Sequence, residues 1–254
     1  MIRLATSLGL LSAIACGSPA PSEPAPTSEP TSELTSELTE TPTAPSEPAT
    51  AAAETAPRSL APEALPSERM GTVSDGDGLA IGAPAPDAHV QTITGEATTL
   101  AALYAAGPTM VVFYRGGWCP FCNFQVHELS EHHARFVERG VQLVMISVDR
   151  PEEGARTSAA YEIPFTVLSD SDLSAHTAYH VLNVVDDETL ERYRGMGLDL
   201  SASSGRDHHT IAVPSVFVVR DGNIIFRHVD RDYRTRPSAA QLLEVLDGLE
   251  LPAP

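Results

Sequence analysis

Met110-Val111-Val112-Phe113-Tyr114-Arg115-Gly116-Gly117-Trp118-Cys119-Pro120-Phe121-Cys122-Asn123 is the stretch that decides the fold and points to the chemistry. Met110 to Tyr114 is an apolar burst of strand length, and a helical pattern follows Pro120. Proline suits the first helical position, because the amide it lacks would be left unbonded there in any case. Cys119 then falls at the N-cap, where free amides and the positive end of the helix dipole favour thiolate over thiol. Cys122, one turn on, lies on the inward face and is more shielded. Two thiols so placed can close as a disulfide or open as a nucleophile and its resolver. The expected roles are attack by Cys119 and resolution by Cys122. A structural or accidental thiol pair is the bland alternative.

Working outward, the helix is expected from Pro120 to Val137, with Cys122, Val126, Leu129, Phe136 and Val137 on its apolar face. Gly140 ends it, and Val141 to Val148 is a second buried strand. Strand, helix, strand with such connections implies a parallel pair with a right-handed crossover. A helix from Glu152 to Tyr161 leads to a short extended segment, Phe165 to Leu168. Asp186-Asp187-Glu188 marks a helix start in an irregular stretch. Ser215–Val219 and Asn223–Arg227 flank Asp221-Gly222, an antiparallel hairpin signal. Ala239, Leu242, Leu243, Leu246 and Leu249 form a last amphipathic helix, and an extra strand is expected around Ala88 to Thr94. The order is β-α-β, an insertion, then β-β-α. It predicts an α/β thioredoxin-like fold, a central mixed sheet flanked by helices.

The N-terminal part is of a different kind. Residues 1–15 read as a targeting segment, with Arg3 followed by an apolar run too short to span a bilayer. Ala13-Ile14-Ala15-Cys16 resembles the lipobox of bacterial lipoproteins, which implies lipidation at Cys16, a membrane anchor and a place in the bacterial cell envelope outside the cytoplasm. Residues 16–77 are rich in Pro, Ser, Thr and Glu, with Ser-Glu-Pro and Ser-Glu-Leu repeats. Such a segment buries too little apolar surface to offset its ordering entropy, and is expected to be a disordered tether. Residues 78–251 have the length of one domain. A net charge of −18 argues against nucleic-acid binding. With Cys16 assigned to the anchor, Cys119 and Cys122 are the only pair left, in a setting where closely spaced cysteines serve chemistry.

Three further segments extend the pattern. Ala212-Val213-Pro214-Ser215 opens the strand before the hairpin, Asp207-His208-His209 precedes it, and His228-Val229-Asp230-Arg231-Asp232-Tyr233 follows. With Phe113 to Asn123 they make residues 81–249 resemble the peroxiredoxin-like branch of the alkyl hydroperoxide reductase/thiol-specific antioxidant family, within the thioredoxin-like superfamily. That resemblance implies antioxidant thiol chemistry and makes hydroperoxides candidate substrates. Resemblance to the thioredoxin fold implies a cis Val213–Pro214 bond facing the cysteines, with the Val213 backbone free to pair with an extended substrate.

The chain also departs from true peroxiredoxins, which carry PxxxTxxC and a later arginine. If Cys122 takes the peroxidatic place, Arg115 replaces the proline, Cys119 the threonine and Pro214 the arginine. The donors for peroxide activation are then missing unless Arg115 substitutes for them. Thiol–disulfide exchange is therefore favoured over dedicated peroxidase activity with Cys122 as the peroxidatic cysteine. Trp118, Arg115, Val213 and Pro214 are the expected substrate contacts. A membrane-tethered copper chaperone of Sco type, using Cys119, Cys122 and either His208 or His209, is an alternative from another class, although the preferred reading includes no metal. Arg231, Arg234 and Arg236 read as a solvated loop. No organic cofactor is required, since the dithiol carries two electrons; an external thiol reductant or a disulfide-bonded protein is the implied partner. A permanently closed pair would leave only a scaffold role.

Overall fold

The computed structural model describes residues 72–73, 77–249 and 251. Its elements are β1 (Thr72–Val73), β2 (His89–Thr92), β3 (Ala97–Thr99), α1 (Leu100–Tyr104), β4 (Thr109–Phe113), α2 (Pro120–Glu131) and α3 (His133–Val137). They continue through β5 (Gln142–Ser147), α4 (Pro151–Ala160), β6 (Thr166–Ser169), α5 (Ser174–Ala178), β7 (Leu182–Val184) and α6 (Asp187–Gly195). The chain finishes with α7 (Leu200–Ser204), β8 (Thr210–Ala212), β9 (Ser215–Arg220), β10 (Asn223–Val229) and α8 (Ala239–Gly248).

Among the described residues the main sheet has the order β10-β9-β4-β5-β6-β2-β3. β4, β5 and β6 run parallel, and the remaining neighbours are antiparallel. Every residue of the central strand β4 is buried. Its side chains alternate between the faces, as the two-residue period of a strand requires. Met110, Val112 and Tyr114 join the core under α2 and α8, which also holds both cysteines. Val111 and Phe113 join a second core on the other face, with Ile146, Tyr179 and Phe217. Helices cover both faces, which is why the central strands read as unbroken apolar runs.

The strand–helix–strand core, the β9–β10 hairpin and the last helix are as the sequence predicts. Asp221 (φ 51°) and Gly222 (φ 73°) both take positive φ, the geometry a tight two-residue hairpin demands. Asp186 caps α6 by accepting from the Thr189 amide at 2.8 Å. The long helix expected over 120–137 is in fact two helices, with a break at His132 (φ −101°, ψ 5°). The break turns the second piece relative to the first, so Phe136 stays buried while Val137, expected inward, is 52% exposed.

A second sheet, β1-β7-β8, was not legible in the sequence. Its strands are two or three residues long, too short for a periodicity to register. Through it Thr72 and Val73 pair with Val184 and Asn183. These two residues fall within the segment expected to be a tether, which ran to residue 77. Cys16, the targeting segment and most of the tether lie outside the described residues.

Candidate dithiol site

The loop from β4 to α2 can form because Gly116 carries no side chain. Its φ is 139°, and a Cβ there would lie 2.4 Å from Trp118 Nε1 and 2.7 Å from Asp149 Oδ2. Gly116→Ala is therefore expected to cost about 2–4 kcal/mol in a urea unfolding titration, combining backbone strain with overpacking. Equal stability of the two proteins would show that the loop relaxes freely. The turn is further held by Gly117 N–H donating to Asp149 Oδ2 at 3.2 Å, and by Asn123 Nδ2 donating to the Gly117 carbonyl at 2.9 Å.

α2 starts with Cys119 at its N-cap and Pro120 at its first turn, as the sequence predicts. Both thiols are free and fully buried. Each sulfur is met by a guanidinium. Arg115 Nη1 lies 3.8 Å from Cys119 Sγ, and Arg236 Nη2 lies 3.2 Å from Cys122 Sγ. Arg115 is itself 1% exposed and sits over the rings of Trp118 (4.9 Å) and Tyr233 (4.3 Å), donating also to the Tyr193 hydroxyl. Stacking on two aromatic faces compensates part of its lost hydration. Arg236 is shared between Cys122 and Gln125 Oε1, 3.0 Å away.

These charges separate the two cysteines. Burial alone would push the Cys119 thiol up. A hydrogen bond from the Cys122 thiol and the charges of Arg115 and Arg236 outweigh it, and bring Cys119 down to about 5. Cys122 moves well above the ordinary thiol value, through burial first and then through the proton it shares with Cys119. The arrangement favours charge on Cys119 and a proton on Cys122.

Other expected contacts are placed differently. The Val213–Pro214 bond is trans, since no cis peptide occurs among the described residues. Val213 N–H donates to the Val181 carbonyl at 2.8 Å, and its carbonyl accepts from Ser215 Oγ at 2.9 Å. The insertion thus covers, with its own backbone, the edge expected to receive substrate. The Val213 side chain belongs to the core on the face opposite the cysteines. Trp118 does pack beside the dithiol, against Arg115 and the Tyr193 ring at 5.4 Å.

The copper arrangement is not present among the described residues, where no group of three or more His, Cys, Asp or Glu side chains could hold a metal ion. His208 spends both ring nitrogens on the backbone, with Nε2 3.2 Å from the Ser171 carbonyl and Nδ1 accepting from Thr210 N–H at 3.0 Å. His209 turns to Ser201 Oγ at 3.1 Å.

Three participants escaped the sequence. Arg236, assigned to a solvated loop, contacts a catalytic-type sulfur because α8 is fixed by a capping box at Ser238 and Gln241 just beyond it. Tyr193 arrives from α6 in the insertion. Asp149, just beyond β5, is 3% exposed and bonds the active loop. Its place at the carboxyl end of a parallel strand was the one available signal, since sites in such sheets gather there. Two openings flank the cysteines: a cavity of about 220 Å³ with mixed lining beside Gly117, Trp118 and Asp149, and an apolar groove of about 560 Å³ beside Pro120, Phe121, Phe124 and Arg236.

A thioredoxin-type sheet presenting two free thiols at a helix N-terminus belongs to the class of arrangements suited to thiol redox chemistry. Comparison with known proteins narrows that class. The AhpC/TSA family profile matches residues 81–227, and the chain belongs to the AhpC/TSA family. It is a thiol-dependent oxidoreductase of peroxiredoxin-like type. It is 30% identical to Peroxiredoxin 2 of Caldanaerobacter subterraneus over 186 residues, which is 67% of this chain and 69% of that one. The fold is similar to the peroxidoxin BcpB of Mycobacterium tuberculosis (TM-score 0.53, 17% identity, covering 68% of this chain and 99% of that one). It is also similar to the reduced Prx3 of Vibrio vulnificus, solved in complex with hydrogen peroxide (TM-score 0.54, 14% identity, covering 66% and 99%).

Proposed function

We propose that the protein reduces hydroperoxides by cycling Cys119 and Cys122 between dithiol and disulfide. The observation that carries this reading is the pair of guanidinium groups, one on each sulfur. The Cys119 thiolate attacks the terminal oxygen of the hydroperoxide, the O–O bond breaks, and Cys119 becomes a sulfenic acid. Arg115, already beside Cys119 Sγ, donates toward the oxygens as charge moves onto the leaving one. Cys122 then attacks the sulfenic sulfur, closing the disulfide and expelling water. An external thiol reductant reopens it. Exchange with a protein disulfide, favoured by the sequence, loses the backbone edge expected to receive its substrate, because the Val213 amide is already engaged by Val181.

A second reading has one observation in its favour. Arg236 is closer to Cys122 than Arg115 is to Cys119, and it also holds Gln125. In this reading Cys122 is the peroxidatic cysteine. Stopped-flow fluorescence of Trp118, the chain's one tryptophan, separates substrate classes. Rapid quenching by hydrogen peroxide, with a much slower response to a protein disulfide at equal concentration, is expected. A faster response to the disulfide would reverse the assignment.

The lipobox resemblance adds the proposal that Cys16 is lipidated and tethers the enzyme to an envelope membrane. No helix among the described residues is long and apolar enough to cross one. Palmitate labelling of the expressed full chain should disappear in Cys16→Ser; retained labelling would refute the anchor.

A further inference from the structure

Arg115 to Asn123 contains no Ser, Thr or Tyr, so the active loop brings no hydroxyl of its own to the dithiol. The insertion supplies one. α6 buries Thr189, Leu190 and Tyr193, and Tyr193 joins the core that holds both cysteines. There it is wholly buried, its ring packed edge-to-face with Trp118 at 5.4 Å between centroids. The Tyr193 hydroxyl accepts from Arg115 Nη2, while Nη1 of the same guanidinium lies 3.8 Å from Cys119 Sγ. One planar fork thus ties the sulfur and the phenol oxygen together.

Packing accounts for the ring but not for the hydroxyl, since phenylalanine would fill the same space against Trp118. A hydroxyl has two lone pairs and one proton. Arg115 occupies a lone pair, so the proton is turned away from the guanidinium and is the oxygen's to donate. The charged and titratable groups facing Tyr193 are Arg115 and Cys119 from the β4–α2 loop and Tyr233 from the loop after β10. Burial pushes the hydroxyl up to about 12, against the pull of Arg115 and with the help of Cys119 and Tyr233. It keeps its proton at neutral pH and yields it to a base as strong as an alkoxide.

We propose that Tyr193 is the catalytic acid of hydroperoxide reduction, giving its hydroxyl proton to the departing oxygen while Arg115 holds it in place. This rests on the proposed attack by Cys119. The thiolate bonds to the terminal oxygen of the hydroperoxide, the O–O bond breaks, and its electron pair stays on the departing oxygen. That oxygen takes the Tyr193 proton and leaves as the alcohol, or as water from hydrogen peroxide. The tyrosinate, stabilised beside Arg115, recovers a proton from solvent water and releases hydroxide. Cys119, oxidised to the sulfenic acid, has supplied both electrons.

The test compares hydrogen peroxide with peracetic acid, whose departing acetate needs no proton. Tyr193→Phe keeps the ring against Trp118 and removes only the hydroxyl. Its single-turnover oxidation by hydrogen peroxide at pH 7, followed by Trp118 fluorescence, should be about a hundredfold slower than in the wild type. Oxidation by peracetic acid and alkylation of Cys119 by iodoacetamide should both stay within about threefold. Equal losses with the two oxidants would reduce Tyr193 to a positioning residue, and an unchanged hydrogen peroxide rate would leave it no part in the chemistry; either result overturns the proposal. If urea titration shows that Tyr193→Phe does not fold, 3,5-difluorotyrosine at position 193 fills the same space with a more acidic hydroxyl. The alkaline fall of the hydrogen peroxide rate should then move to lower pH, and an unmoved fall would count against the proposal equally. A wild type that hydrogen peroxide oxidises no faster than free cysteine would instead overturn the hydroperoxide reading itself.

Discussion

Cys119→Ser is expected to lower hydroperoxide turnover by about three orders of magnitude or more, with the fold unchanged. The argument is electrostatic. Arg115 and Arg236 both favour charge on Cys119, and the Cys122 thiol donates to it, so thiolate is concentrated on one sulfur. Serine in its place cannot ionise near neutral pH, and the remaining thiol at Cys122 is held well above its ordinary value by burial. Cys122→Ser should behave differently. Its first oxidation by peroxide should remain fast, while turnover stalls because no second sulfur closes on the sulfenic acid. Peroxide consumption and the burst of a single oxidation, measured in the same stopped-flow run, distinguish the two variants.

Arg115→Met carries the second large effect. The guanidinium is buried between Trp118 and Tyr233, and methionine fills much of that volume without charge. Cys119 then loses its nearest cation, and its titration should climb from about 5 toward the ordinary 9. A rise of about two units would leave roughly a fiftieth of the alkylation rate at pH 5 and close to the full rate at pH 9. The stability consequence has a definite sign. Cys119 is an acid whose folded value lies below its unfolded one. Its stabilisation is present in full above about 9 and is lost as pH falls toward 5. Arg115→Met should therefore flatten the rise of stability with pH across that window. Iodoacetamide kinetics and urea unfolding over the same pH series read both effects. Unchanged profiles would show that the helix terminus and Arg236 activate Cys119 without Arg115.

What the sequence made legible was local. Strand β4, the proline-started α2, the Asp221-Gly222 hairpin and the Asp186 cap each announce themselves within a few residues. The placement of Cys119 at the helix terminus follows from Pro120 alone. What stayed hidden depends on pairing between distant segments. Val213 read as an open edge because nothing near it reveals that β7 pairs with β8 just before it and that Val181 occupies its amide. Arg236 read as solvated because its contact with Cys122 spans 114 residues of sequence. Its flanking arginines, Arg231 and Arg234, are indeed exposed, so composition could not separate the three. The break at His132 is likewise invisible to periodicity, since both halves carry helical patterns.

The same distant contacts support the proposed hydroperoxide reading. Judged by motif, the chain lacks the donors a peroxidase needs. In the folded chain Arg115 reaches Cys119 from four residues away, and Arg236 reaches Cys122 from the far end of the domain. A cationic, buried dithiol with a closed neighbouring edge suits a small oxidant better than an extended peptide.

Trapping the sulfenic acid tests most directly which sulfur meets the substrate first. Reduced Cys122→Ser and Cys119→Ser proteins are each mixed with one equivalent of hydrogen peroxide in the presence of dimedone, and the adduct is located by peptide mass spectrometry. The account predicts rapid labelling of Cys119 in Cys122→Ser and little labelling in Cys119→Ser. Rapid labelling of Cys122 in Cys119→Ser would contradict it and make Cys122, under Arg236, the cysteine that attacks.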